Sequence, residues 1–559
     1  MLCDVMDDTR VKPASSWFAR GRGWLPSRSL LIWSLTSAAL LVAAFPNFGL
    51  WPLAWFGLVP LFWAVAQQKR ARTAFLAGWL WGAVFFIASC YWLTYAMIRY
   101  GGIPRPVAYL ALLAPGLVVG FFPALACGLL TRLTKKWGAM ALFAMPFLWT
   151  ACEWLRLQTT GQLWNALGYS QAFRPELIQT ARWGGVYAVS FLLVAVNAAL
   201  AFAVLRRNVR VFAVIFGVGA IIGISNFKSQ ISNEIPAAFV VAVQPNVPME
   251  IGAADAQEAK LLQRHFELSR QELQHADNIT PRVVIWPESP MSFSYSQEAQ
   301  LREDLAKFTQ ENHTSLLFNS LEPAKDPREG GYNAAILLDE RGRVAAQYDK
   351  IYLLPFGEYV PVPRWLPLLN MIPPMVGDFT SGTEYDVFPL GNAKAAVFIC
   401  FESAFPALTR KFTQQGADVL VNIANDGYLG PTPVQRQHLA NAVFRAVENA
   451  RPVLRVTNTG LTAHIADNGQ VSDLLPDFQP GAESWNVYKK DGRQTFYTRF
   501  GDVWAWICLG ISFVLILGAQ AARRQNTPPR AFRVTQPATK DERGLRTNGR
   551  SQDDCEPRD

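Results

Sequence analysis

Apolar residues in this chain are gathered into blocks, and that clustering restricts the fold more than any other feature. The blocks lie near residues 29–45, 51–66, 73–98, 107–130, 138–155, 184–205, 211–226 and 503–521. Stretches of about 17 to 25 apolar residues are what a helix needs to cross a hydrocarbon layer about 30 Å thick. With 51% of its 559 residues hydrophobic, the chain carries more apolar matter than a water-soluble fold of this length needs. The expectation is a polytopic α-helical membrane domain of about eight transmembrane helices.

Basic residues orient these crossings, because Lys and Arg in short loops stay on the cytoplasmic side. Arg10, Lys12, Arg20, Arg22 and Arg28 precede the first block; Lys69, Arg70 and Arg72 follow the second; Lys135 and Lys136 follow the fourth. Arg206, Arg207 and Arg210 follow the sixth, and Arg523 and Arg524 the last. Both termini are therefore expected inside, and the segment after the seventh crossing outside the cytoplasm. The net charge of +9 is explained by these flanking cations, which do not form a patch interleaved with aromatics, so nucleic acid is not an expected partner. The first block has an Arg-rich front like a signal peptide, but Ala43-Ala44-Phe45-Pro46 is a poor cleavage site and further blocks follow. An uncleaved first crossing is expected.

This organisation divides the chain into a basic cytoplasmic segment 1–28, a membrane domain of seven helices over 29–226, a polar domain 232–490, a last crossing 503–521 and a disordered cytoplasmic tail 522–559. Within 232–490, strand and helix patterns alternate. Strands are expected at 239–244, 282–287, 315–319, 393–400, 419–423, 452–457 and 461–466, with a hairpin across Glu340-Arg-Gly-Arg343. Helices are expected at 255–276, 298–312, 405–415 and 433–449. Continuous apolar strands such as Ala395-Ala-Val-Phe-Ile399 indicate a sheet covered on both faces, hence a layered α/β domain.

Ligands of open sheets bind at the carboxyl ends of strands, and three reactive side chains fall there. They are Glu288 in Val283-Val-Ile-Trp-Pro-Glu288, Lys350 in Tyr348-Asp-Lys350, and Cys400 after Ala393–Ile399. Taken singly, Cys400 reads equally as a small core residue, Glu288 as a surface carboxylate and Lys350 as a solvated cation. Together, a carboxylate, an ammonium and a thiol at successive strand ends are the parts of an acyl-transfer site. Cys400 is also the only cysteine of 232–490; Cys90, Cys127, Cys152 and Cys508 lie in or beside apolar blocks, and Cys3 and Cys555 in the tails. The five histidines are scattered without ligand spacing, so neither a metal nor another cofactor is expected.

Trp286-Pro-Glu288, Tyr348-Asp-Lys350, Cys400-Phe-Glu402 and Asn422-Ile-Ala-Asn425-Asp426 resemble the motifs of the nitrilase superfamily. With Gln437-His-Leu-Ala-Asn441, Arg445-Ala-Val-Glu448, Arg451, Arg455 and Asn458-Thr-Gly460, and apolar blocks on both sides, the chain is similar to the bacterial apolipoprotein N-acyltransferase family over nearly everything but the tails. The resemblance implies a nitrilase-like αββα sandwich in a multi-pass protein of the bacterial cytoplasmic (inner) membrane, its catalytic domain on the periplasmic side. It implies transfer of a fatty acyl chain from a phospholipid to the α-amine of a diacylglyceryl-cysteine apolipoprotein. In that scheme Cys400 is the nucleophile, Glu288 the general base and Lys350 the stabiliser of thiolate and oxyanion. Glu358 orients Lys350 or shares proton transfer, Glu402 aligns the cysteine turn, and Asn425 supports the site.

Trp164, in Gly161–Gln171, matches a periplasmic loop of the family and is a candidate substrate contact, although a tryptophan beside a span also reads as an interfacial anchor. Tyr428 is a second candidate contact, in a stretch where Tyr428-Leu429 replaces an aromatic pair. Met249-Glu-Ile-Gly-Ala253 lacks the family's tryptophan. Glu153 and Arg156, one turn apart, are expected to pair. Rival readings are a membrane-tethered amidase using water as acceptor, a receptor without catalysis, and a Cys-His protease with His438 or His464 as base. His438, near a helix start, reads as a solvated or capping residue.

Overall fold

The computed structural model describes residues 26–46, 48–208, 212–225, 236–249, 255–277, 280–291, 293–324, 330–359 and 379–525. Most of the basic N-terminal segment, Cys3, Cys555, Arg210, the tail from 526 and the stretch Glu250–Ala253 lie outside the described residues.

The apolar blocks form helices α1 (Arg28–Ala44), α2 (Val59–Ala66), α3 (Ala71–Ser89), α4 (Leu93–Arg99), α5 (Arg105–Trp137), α6 (Met145–Thr160), α7 (Pro175–Ile178), α8 (Ala181–Arg206) and α9 (Phe212–Ser225). Among the described residues, four helical segments are long and apolar enough to cross a membrane: Ala71–Ser89, the run Arg105–Thr160, Ala181–Arg206 and Val503–Ala521. The block at 51–66 is not one helix. Pro52 and Pro60 each start a separate piece, a 3-10 turn at Trp51–Trp55 and α2, because proline is accepted in a first helical turn and not within a helix. The block at 73–98 likewise breaks at Cys90 into α3 and α4.

Helices α3 and α5 approach closely through small residues. A Cβ added to Gly82 would stand 2.7 Å from the Cα of Gly120, and one added to Gly120 would stand 2.8 Å from the backbone nitrogen of Ala83. Without hydrophobic drive between helices in lipid, such backbone-to-backbone packing supplies the dispersion contacts that hold them.

The polar segment folds into two six-stranded sheets. Its strands are β1 (Ala238–Gln244), β2 (Arg282–Ile285), β3 (Ser315–Glu322), β4 (Tyr332–Leu338), β5 (Val344–Asp349), β6 (Phe388–Leu390), β7 (Ala393–Ile399), β8 (Val419–Ala424), β9 (Val453–Thr457), β10 (Ala463–Ile465), β11 (Val471–Ser472) and β12 (Gly481–Val487). The first sheet runs β12-β1-β2-β3-β4-β5 and the second β11-β10-β9-β8-β7-β6. Parallel pairs β1–β2–β3 and β7–β8–β9 form the two centres.

Side chains alternate along the strands, and the alternation sorts them into layers. Val241, Val243, Val284, Leu316 and Phe318 pack with Leu261 and Phe266 of helix α10 (Asp255–Leu273) and with Leu305 and Phe308 of α11 (Ala299–Asn312). Their neighbours Val240, Ala242, Ile285, Leu317 and Leu337 share one core with Val397, Val421 and Val456 of the second sheet. Helices α12 (Pro406–Gln414) and α13 (Val434–Asn449) join that core through Leu408, Val443 and Val447. A short α14 (Phe496–Phe500) leads to the last apolar helix, α15 (Val503–Gln525).

Gly120→Leu is expected to cost about 1–3 kcal/mol through overpacking, read as a lower thermal midpoint of the detergent-solubilised protein. Gly217→Leu, at a position with nothing within 4 Å of the added Cβ, serves as the control and should leave the midpoint within error.

Candidate active site

Chain topology brings Glu288, Lys350 and Cys400 together at the carboxyl ends of β2, β5 and β7. Lys350 follows β5 directly, and its Nζ lies 2.8 Å from Glu358 Oε2 and 3.8 Å from Glu288 Oε1. The residue is 1% exposed. Burial works against its charge, but Glu358 and Glu288 outweigh burial and raise the ammonium above the ordinary lysine value. It stays protonated throughout the physiological range.

Each carboxylate is held in place. Glu288 Oε2 accepts the backbone N–H of Asn425 at 3.0 Å, which is the contribution Asn425 makes, and Oε1 accepts Asn333 Nδ2 at 2.9 Å. The same Asn333 amide donates to Glu358 Oε1 at 2.7 Å, so one side chain spaces the two acids. Asn319 Nδ2 in turn donates to Asn333 Oδ1 at 2.7 Å. Leu354 N–H donates to Glu358 Oε2 at 2.8 Å. Asn333 is the second residue of β4, where the hairpin pattern starts only at Ala334; a lone polar residue at the mouth of an apolar strand was its only signal.

Cys400 is not the last residue of β7. It begins a 3-10 turn (Cys400–Ala404) with φ +52°, a left-handed conformation costing a non-glycine residue of order 1–3 kcal/mol. Glu402 secures the turn. Its Oε1 accepts Tyr348 Oη (2.7 Å), Ile351 N–H (2.8 Å) and Tyr352 N–H (3.0 Å), while Oε2 accepts Ile399 N–H (2.7 Å). The nucleophile turn and the Lys350 loop are thus tied through one buried carboxylate. Burial and then the charge of Glu288 push the Cys400 thiol well above its ordinary value, against the pull of Lys350. The resting group is a thiol beside a carboxylate and an ammonium.

Trp164 does not stand free at an interface. It is 6% exposed and stacks on Phe401, the residue after Cys400, with centroids 6.0 Å apart. Its Nε1 and that of Trp92 both donate to Gln437 Oε1 of α13, at 2.9 and 3.1 Å. Glu153 and Arg156 act on each other through their charges, and each also hydrogen-bonds elsewhere. Glu153 Oε1 accepts Leu167 N–H (2.9 Å) and Arg156 Nη2 donates to the Trp164 carbonyl (2.9 Å), so both brace the loop that carries Trp164. Tyr428 is exposed, its ring edge-on to Tyr100 at 5.8 Å. His438 is neither solvated nor capping: it is 3% exposed, and its Nε2 lies 2.8 Å from the Cys400 carbonyl oxygen. His464 sits on β10, away from this cluster.

Residues 37–199 match the apolipoprotein N-acyltransferase N-terminal domain and residues 240–515 match carbon-nitrogen hydrolase. A carbon-nitrogen hydrolase domain with a cysteine site, carried on apolar helices, makes this a membrane-bound acyl-transfer enzyme of the nitrilase type. The apolipoprotein N-acyltransferase of Geobacter metallireducens is 33% identical over 90% of this chain and 97% of its own length. That of Allorhizobium ampelinum is 30% identical over 83% and 90%. The chain belongs to the apolipoprotein N-acyltransferase family. Among solved structures, an amidase from Nesterenkonia sp. AN1 is similar at 17% identity and a TM-score of 0.35, over 48% of this chain and 95% of the amidase.

Because the thiol is held above its ordinary value of 9.0, iodoacetamide labelling of Cys400 should keep accelerating as pH rises beyond that value. A rate already level at neutral pH would mean a resting thiolate.

Proposed function

We propose that the chain moves a fatty acyl group from a membrane phospholipid, through a Cys400 thioester, to the α-amine of an apolipoprotein's diacylglyceryl-cysteine. The observation that carries this reading is the position of the thiol. Phe401 beside it stacks on Trp164 of the membrane-domain loop, so the nucleophile stands where a lipid ester arriving from the bilayer would reach it.

In the first half-reaction, Glu288 takes the Cys400 proton as Sγ attacks the ester carbonyl. Lys350 balances the charge on the tetrahedral oxyanion. Collapse forms the thioester, and Glu288 returns the proton to the departing alkoxide, releasing a lysophospholipid. In the second, the lipoprotein amine attacks the thioester carbonyl and Glu288 accepts an amine proton. The C–S bond breaks, an amide is left, and the proton returns to sulfur. Glu358 and Asn333 keep Lys350 and Glu288 apart at fixed spacing through both steps.

The basic residues flanking the apolar blocks support eight crossings, seven over 29–226 and one over 503–521. On this reading segment 232–490 lies outside the cytoplasm and the protein in the bacterial inner membrane. Trp164 then acts through the nucleophile turn, and exposed Tyr428 with Tyr100 offers an apolar surface for an acyl chain.

Mass spectrometry of the purified protein mixed with phospholipid alone tests the scheme. One fatty-acyl adduct is expected on Cys400, discharged when a diacylglyceryl-cysteine peptide is added; loss of the adduct to water at the same rate without peptide would favour an amidase. Cys400→Ala should abolish turnover, and Lys350→Met should lower kcat by about 10²–10³-fold, the scale of losing one oxyanion donor.

A further inference from the structure

His438 belongs to a buried cluster that the proton transfers above leave unused. Its Nδ1 lies 2.7 Å from Asp426 Oδ1, and its Nε2 lies 2.8 Å from the carbonyl oxygen of Cys400. Both partners are oxygens, so each ring nitrogen faces one. Asp426 Oδ2 accepts Arg455 Nη2 at 2.7 Å, and Arg455 Nη1 donates to Asn422 Oδ1. Arg455 Nη2 also approaches His438 Nδ1, at 3.1 Å. Asp426 is 1% and Arg455 0% exposed. Burial opposes the charge on Asp426, yet His438 and Arg455 outweigh it and hold the carboxyl below its usual range. Trp164 covers the imidazole, with ring centroids 5.7 Å apart.

The sulfur of Cys400, a ring nitrogen of His438 and a carboxylate oxygen of Asp426 lie within 4.8 Å of one another. Two chemistries would ordinarily be read from such a trio, a metal site or a Cys-His dyad. The hydrogen bonds disfavour both. A metal would have to displace Arg455 from Asp426 and compete with oxygen partners for both ring nitrogens, and a general base needs a nitrogen lone pair facing sulfur, whereas Nε2 is spent on the carbonyl.

We propose that His438 is a positioning residue: backed by Asp426 and Arg455, it grips the Cys400 carbonyl and fixes the left-handed turn that aims Sγ at Glu288 and Lys350. Glu402 holds the turn from its amide side at Ile399, and His438 holds it from the carbonyl side at Cys400. Without that grip the residue relaxes towards negative φ, and the sulfur moves off the line to the ester carbon. The inference rests on Cys400 being the acyl-carrying nucleophile.

The test uses the full-length protein in detergent with phospholipid, following acyl-enzyme formation by intact mass in single-turnover mode. His438→Met, of similar length and without an N–H, is expected to slow acylation about 10–100-fold, the scale of an ångström-sized misplacement. The phospholipid concentration at half-maximal rate should change less than about twofold, and iodoacetamide labelling of Cys400 should slow in parallel. His438→Gln, whose amide N–H reaches the carbonyl, should recover acylation to within about fivefold of the parent protein. If His438→Met does not accumulate, His438→Gln decides alone: near-parental acylation supports the proposal. Acylation as slow as in the Met variant, or slowed more than about fiftyfold at an unchanged thermal midpoint, overturns it in favour of a base or structural role. His438→Met acylating at the parental rate overturns it as well. Absence of an adduct in the parent protein would instead refute the acyl-enzyme itself.

Discussion

A lysine ammonium almost wholly removed from water is the constraint around which the catalytic domain is arranged. Lys350 tolerates its site because Glu358 meets it at hydrogen-bond distance and Glu288 stands just beyond. Removing one partner of such a buried pair typically costs about 3–5 kcal/mol, since the other charge is left uncompensated. The same arrangement leaves Glu288 only loosely engaged with the cation. Asn333 donates to both carboxylates and fixes their spacing.

Around this centre the chain uses hydrogen bonds to impose a backbone shape that Cys400 would not choose. Glu402 gathers four donors from two separate loops, and neither β5 nor β7 could shift without breaking some of them. Preorganisation of this kind moves the cost of alignment from the reaction to folding, which is where an enzyme gains rate. Trp164 extends the same logic into the membrane domain, since its loop is braced by Glu153 and Arg156 and its ring rests on the nucleophile turn.

Much of the layering was legible because it is written in local periodicity. The apolar run Ala395–Ile399 and the helical spacing of 255–276 are short-range signals, and the structure has β7 and α10 at those places. Strand β12 was not legible: Glu483, Ser484 and Asn486 interrupt any apolar pattern, and the segment becomes a strand through its antiparallel pairing with β1, more than two hundred residues away in sequence. The breaks inside apolar blocks were not legible for a related reason, since hydropathy measures length and ignores where Pro52 and Pro60 restart the helix. Glu288, Lys350 and Cys400 stood out as reactive types at strand ends. Asn333 and His438 did not, because an asparagine before a strand or a histidine near a helix start looks like ordinary turn or cap chemistry until distant segments meet. Glu153 and Arg156 have the spacing of an ion pair and act on each other through their charges, while each also hydrogen-bonds to the loop ahead of it.

Helix α8 is interrupted at Gly184 and Gly185, the latter with φ +64°. The break frees the amide of Val186, which donates to Glu448 Oε1 of α13 at 2.9 Å, and Glu448 in turn pairs with fully buried Arg445. An amide that an unbroken helix would have consumed internally is thereby shared between the two halves of the molecule. Neither half has a finished surface there: severing them would strand an ion pair on one side and an open helix end on the other. Excising the domain from its helices is therefore a redesign problem and not a matter of choosing where to cut.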